Sequence, residues 1–153
     1  MEKVVDTVKD LKKQSTWVLL ILNIITLNVY GAHYIYTQSK KLNEILEEEE
    51  KISDLLQGTI LLSAYIILIG TVLSFINYSV IYDGIANLAS LILTISMIVW
   101  SFKVRNRMNK ALNLQKGDFH WFHGFWTFLF PPYYFNYKIN CLNEQLEGDD
   151  ATL

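Results

Sequence analysis

GTILLSAYIILIGTVLSFINYSVIYDGIANLASLILTISMIVWSF, residues 58–102, decides the fold. Between Leu55 and Phe102 the only formal charge is Asp83, which sits beside Gly84. Residues 58–76 form a run of 19 without charge, and residues 85–102 a run of 18. A bilayer core needs about 20 apolar residues per helix, so the stretch reads as a transmembrane helical hairpin reversing over 77–84. Composition agrees. Of 153 residues, 52% are apolar and 18% charged, with a mean hydropathy of +0.23, values that fit one all-α integral membrane domain.

Amphipathic extensions flank the hairpin. In residues 37–57, TQSKKLNEILEEEEKISDLLQ, apolar residues recur at three- and four-residue steps, predicting an acidic helix that runs on into 58–76. Residues 103–116 carry Lys103, Arg105, Arg107 and Lys110 among apolar neighbours and predict a basic helix. If the hairpin pivots near 79–80, Glu50 faces Lys110, and Asp54 faces Arg105 or Arg107. Such pairing sets orientation more than stability. Within the hairpin, Gly70 and Ser74, and Ala86, Ser90 and Thr94, place small residues four apart, which lets helices approach closely in lipid, inside one chain or between copies.

Two outer segments are less regular. Residues 17–36 begin apolar and turn aromatic, with a natural break at Asn28 and Gly31. Residues 119–137 hold 11 of the 21 aromatic residues and the pair Pro131 and Pro132, which cannot continue a helix. Residues 1–16, with Val4, Val8 and Leu11 at helical spacing among lysines, read as an amphipathic cytosolic segment without a signal-peptide cleavage site, and residues 138–153 as a polar, disordered tail. If all four apolar segments span, Lys and Arg divide five against eight between the two faces, which fits neither orientation of the positive-inside rule. If only the hairpin spans and the two aromatic segments re-enter, all 13 share one side. The second topology is favoured: inner (cytoplasmic) membrane, termini cytosolic, with the four-span arrangement as the alternative. Irregular backbone at membrane depth must then be covered by protein.

Offset by 100 residues, Leu42, Asn43 and Glu44 align with Leu142, Asn143 and Glu144, and Val29, Tyr30 and Tyr34 with Leu129, Phe130 and Tyr134. Each copy reads apolar run, break, aromatic cluster, polar helix, the pattern of an internal repeat flanking the hairpin. ITLNVYGAHYIYTQSKKLNE, residues 25–44, with FPPYYFNYKINCLNE, residues 130–144, resembles the DUF4234 family of small bacterial integral membrane proteins. The resemblance implies a bacterial membrane location and several hydrophobic segments, and it carries no activity to transfer.

Motifs with chemistry are sparse. His120 and His123 beside Asp118 offer two imidazoles at i and i+3 without a third ligand of the right kind nearby, so no metal is assigned. No phosphate loop, no nucleophile with a plausible base and no paired intramembrane carboxylates are present, so neither an enzyme nor a cofactor is expected. A net charge of -2 argues against nucleic acid, and the single Cys141 excludes an internal disulfide. The expectation is a non-catalytic membrane protein that self-associates or serves as the embedded accessory subunit of a larger assembly. Its partners would be the lipid bilayer and either copies of itself or another membrane protein. The alternative is an oligomeric pore or small transporter of the defence or toxin type, with Asn77, Asn87, Thr94 and Ser96 along the path.

Overall fold

The computed structural model describes residues 8–11, 13–77 and 79–150, the last three by backbone alone. Among these residues the chain is all helical, without strands: α1 (Thr16–Ile25), α2 (Val29–Asn43), a 3-10 turn at Glu48–Glu50, α3 (Asp54–Ile76), α4 (Val80–Ala111), α5 (Gly124–Leu129) and α6 (Tyr133–Asp150). α3 and α4 form the hairpin, and both are long and apolar enough to cross a membrane. Only 28% and 33% of their most apolar stretches is buried. Leu62, Ile69, Ile85 and Leu91 are among the large apolar side chains exposed along the hairpin, and exposed apolar surface of this kind marks a site of protein or membrane interaction.

The hairpin reverses in fewer residues than its sequence implies. α4 already starts at Val80, not after residue 84, because Ser79 caps it by accepting from the Ile81 N–H at 3.3 Å. Asp83 then falls in the first turn, where the helix dipole favours a carboxylate, and Ser74 Oγ donates to it at 2.6 Å. Gly84 lies inside the helix with open space around it. At the other end α4 runs through 103–111 without interruption. The basic extension is thus the last turns of the same helix, which stops at Ala111, short of residue 116.

The acidic segment departs more from expectation. Residues 37–43 end α2, residues 44–53 leave the helical path, and a new helix starts at Asp54. Two caps override the continuous apolar spacing. The Asn43 side chain brackets the backbone of Ile52, donating from Nδ2 to its carbonyl at 2.9 Å and accepting its N–H at Oδ1 at 2.8 Å. Ser53 accepts from the Leu56 N–H at 3.4 Å and opens α3. Four successive acids, Glu47 to Glu50, add like-charge repulsion that a continuous helix would have to hold at short range.

Around the charged half of the hairpin sit two helix–break–helix units. α1 and α2 are separated by residues 26–28, of which Leu27 and Asn28 lie in the left-handed region (φ 48° and 74°), a conformation that asparagine tolerates. α5 and α6 are separated by Phe130 to Pro132. The tail is therefore not a loose polar segment through Asp150: α6 buries Phe135, Ile139 and Leu142 at helical spacing. The 100-residue offset carries over to packing, since Ala32, Ile35, Gln38, Ser39 and Leu42 and their counterparts Pro132, Phe135, Lys138, Ile139 and Leu142 are all buried. Gly31 belongs to α2 rather than to its break, and a Cβ there would lie 2.2 Å from Asn23 Oδ1.

At 1.5 Å per residue α1 is about 15 Å long and α5 about 9 Å, well short of a roughly 30 Å hydrocarbon core. His33 Nε2 lies 2.9 Å from the Tyr65 hydroxyl, so α2 begins level with the middle of α3. Trp100, fully buried on α4, contacts both units: its Nε1 donates to Ser39 Oγ at 2.7 Å, and its ring meets Phe135 edge-on at 5.4 Å. Val8 and Leu11 are fully buried, and the Asn143 Nδ2 donates to the Val8 carbonyl at 3.1 Å. This part of the N-terminal segment packs on α6 instead of lying loose on a surface, while Val4 is outside the described residues.

Candidate functional site: the charged end of the hairpin

The end of the hairpin opposite its turn gathers the 3-10 turn, the start of α3 and the end of α4. Lys110 donates to the Glu50 carboxylate, and Arg107 Nε donates to the Glu50 carbonyl at 2.5 Å, so one acidic residue receives both cations. The hydrogen bond to Glu50, then its charge, raises the Lys110 ammonium above the ordinary lysine value. Because the folded value is raised, the stability contributed by the charged lysine is present below the ordinary lysine value and is lost as pH climbs past the raised one. Asp54 makes no ion pair with Arg105 or Arg107 among the described residues, and its carboxylate lies 3.5 Å from Gln57 Nε2. Arg105 turns instead to the segment before α5, donating from Nε to the Phe122 carbonyl, and from Nη1 to Asn106 Oδ1 on its own helix, both at 2.8 Å.

The small residues of the hairpin divide between two surroundings. Gly70 is buried against α4, where an added Cβ would come within 3.1 Å of the Ala86 Cβ and 3.4 Å of the Tyr82 carbonyl oxygen. Ser74 bonds Asp83 nearer the turn. Ser90 is half-buried, and Thr94 is exposed with its hydroxyl donating to the Ser90 carbonyl at 2.8 Å. Gly70 with Ala86, and Ser74 with Asp83, meet across the hairpin, and Thr94 faces outward.

Sequence reasoning missed the asparagines. Asn109 brackets Phe122 as Asn43 brackets Ile52, donating at 3.2 Å and accepting at 2.9 Å. Asn23 reaches Tyr133 Oη at 2.7 Å and receives the Gly31 N–H at 3.0 Å, and Asn136 and Asn140 both donate to the Gln14 carbonyl, at 2.9 and 2.8 Å. Each satisfies backbone or hydroxyl groups where the helices break, a need that low-dielectric surroundings make acute. Lys138 is likewise buried, donating to the Phe119 carbonyl at 2.7 Å with the Phe119 and Phe122 rings 5.6 and 5.7 Å away. Burial pushes its ammonium below the ordinary lysine value.

Two further features were open to chemistry. Between α1 and α6, Trp17, Leu20, Phe130, Tyr133 and Tyr137 line an apolar groove of about 480 Å³. Among the described residues no three His, Cys, Asp or Glu side chains come together as a metal set, and His123 is tied by its backbone N–H to the Tyr134 hydroxyl at 3.1 Å.

The family model described as Domain of unknown function (DUF4234) matches residues 14–110, from just before α1 to the last turn of α4. The chain belongs to the DUF4234 family. No curated protein and no solved structure matches it. The DUF4234 match contains the first stretch on which the resemblance rests, residues 25–44, and stops short of the second, residues 130–144. It therefore covers the first helix–break–helix unit and the hairpin, and leaves α5 and α6 as a second unit outside it. Residues 14–110 of this DUF4234 protein hold Glu50, Arg105, Arg107 and Lys110, so the charged end lies within the matched part.

Proposed function

We propose that this DUF4234 protein is a non-catalytic, self-associating component of a bacterial inner membrane. In this reading the α3–α4 hairpin alone crosses the bilayer and both helix–break–helix units re-enter from the cytosolic side. The observation that carries the reading is the mismatch of lengths: 23- and 32-residue hairpin helices with an apolar outer surface, beside α1 and α5 of 10 and 6 residues. The buried asparagines support it, since broken backbone at that depth requires partners from the protein. Topology is tested with single cysteines at the exposed positions Ser15, Glu48, Asn77 and Glu144 in a Cys141→Ser background. Ser15, Glu48 and Glu144 are expected to react with an impermeant maleimide from one side of the membrane and Asn77 from the other. Labelling of Ser15 or Glu144 together with Asn77 would sink the re-entrant topology.

Self-association is supported by Thr94, a small residue facing outward between the exposed Leu91, Ile92 and Ile95. A second reading, the oligomeric pore, is favoured by a cleft of about 470 Å³ near the turn lined by Thr71, Ser74, Asp83 and Asn87. One preparation separates them. In liposomes filled with dye, Thr94→Cys protein lacking Cys141 is expected to form a disulfide-linked dimer while the dye stays inside. A strictly monomeric product counts against self-association, and leakage at the dose that gives dimers favours the pore.

A further inference from the structure

We infer that the pocket between the end of α4 and the 112–121 loop binds the phosphate of an anionic phospholipid headgroup. The pocket has a volume of about 480 Å³, and Arg105, Lys110, Lys116, Asn113 and Trp121 are among its lining residues. Three of its eight lining residues are cationic and none is acidic, in a chain with two more acids than bases. Asp118 in the same loop and Glu50 beside Lys110 are both occupied elsewhere. Asp118 turns back to accept the Gln115 N–H at 2.6 Å, and Glu50 is taken by Lys110 and stands outside the lining.

Arg105 is already positioned for an anion. Two 2.8 Å hydrogen bonds, to the Phe122 carbonyl and to Asn106, fix its guanidinium, and the Trp121 and Phe102 rings lie 5.8 and 6.0 Å away. Its Nη2 has no protein acceptor among the described residues, and the exposed Lys116 has no ion pair among them. A planar donor held by the fold binds a phosphate oxygen without first losing rotamer freedom, and a mobile ammonium supplies the second charge. Depth selects a lipid over a soluble phosphate ester. The uncharged run of α4 ends at Phe102, so Arg105 lies about one turn beyond it, where headgroup phosphates sit and where tryptophan favours the interface. From there α5 carries the exposed Phe125 and Phe128, an apolar wall along which an acyl chain can lie. The assignment rests on α4 lying in a bilayer, a point that the cysteine labelling reads separately.

The test is native mass spectrometry of the full chain released from mixed micelles of phosphatidylcholine and phosphatidylglycerol. Wild-type protein is expected to retain phosphatidylglycerol in preference to phosphatidylcholine. Lys116→Gln, an exposed change that leaves every recorded hydrogen bond intact, is expected to weaken retention about fivefold, the worth of one basic side chain near an anionic surface. Lys51→Gln, a change of equal charge outside the pocket lining, is expected to retain the lipid as wild type does. Equal retention by wild type and Lys116→Gln overturns the assignment. So does glycerol phosphate, added to phosphatidylcholine micelles alone, being held as firmly as the lipid.

Discussion

Trp100→Ala is expected to lower the stability of the detergent-solubilised protein by about 3 kcal/mol, the low end for removing a buried aromatic side chain. Trp100 is fully buried and is the side chain at which the two outer units meet the hairpin: α2 through Ser39 Oγ at 2.7 Å, α6 through the edge of Phe135 at 5.4 Å. Removing the indole opens a cavity that neither unit can fill alone, because each is fastened elsewhere, α2 at Asn43 and Ile52 and α6 at Asn143 and Val8. The low end applies because lipid is itself apolar, so the transfer part of the cost shrinks while lost packing and one lost hydrogen bond remain. Trp100→Phe keeps most of the volume and leaves Ser39 its bond to the Ile35 carbonyl, so it is expected to cost about 1 kcal/mol. Thermal unfolding followed by tryptophan-independent circular dichroism reads both. Equal losses for the two variants would mean that the hydrogen bond, rather than the packed volume, joins the units.

The hairpin was legible because charge is so costly in hydrocarbon that its absence over two long runs leaves few other readings. The break at Asn28 was legible for a similar reason, since asparagine is among the few residues at ease with positive φ. The path from 37 to 57 was not. Its apolar residues keep helical spacing straight through residues 44–53, and the interruption comes from an asparagine side chain clasping a residue nine positions away, which no local periodicity records. Gly31 misled in the opposite direction, because its role is close approach to Asn23 and not flexibility. The helical character of 133–150 was present in the spacing of Phe135, Ile139 and Leu142 but masked by the acidic composition around it. Lys138 and the buried asparagines were the largest omission. Polar residues next to aromatic runs look like interface residues until the broken backbone they satisfy is in view.

Gly70→Leu is expected to force the hairpin helices apart, with a loss of about 1–3 kcal/mol or more, as overpacking of a close contact does. An added Cβ alone would stand 3.1 Å from the Ala86 methyl and 3.4 Å from the Tyr82 carbonyl oxygen, and three further carbons have nowhere to go without moving α4. Gly70→Ala is different, because a shift of a few tenths of an ångström suffices and the roughly 1 kcal/mol helix preference of alanine over glycine works in its favour. The geometry near the turn supplies a direct readout. Ser74 and Asp83 meet at 2.6 Å, so a Ser74→Cys, Asp83→Cys pair is expected to oxidise readily in the wild-type background and poorly beside Gly70→Leu. Removing the facing methyl with Ala86→Gly should recover part of both the disulfide yield and the stability lost to Gly70→Leu. Rescue by Ala86→Gly places the contact inside one chain. If Gly70→Leu instead leaves the disulfide untouched and lowers only the mass of the assembly, Gly70 faces a second copy.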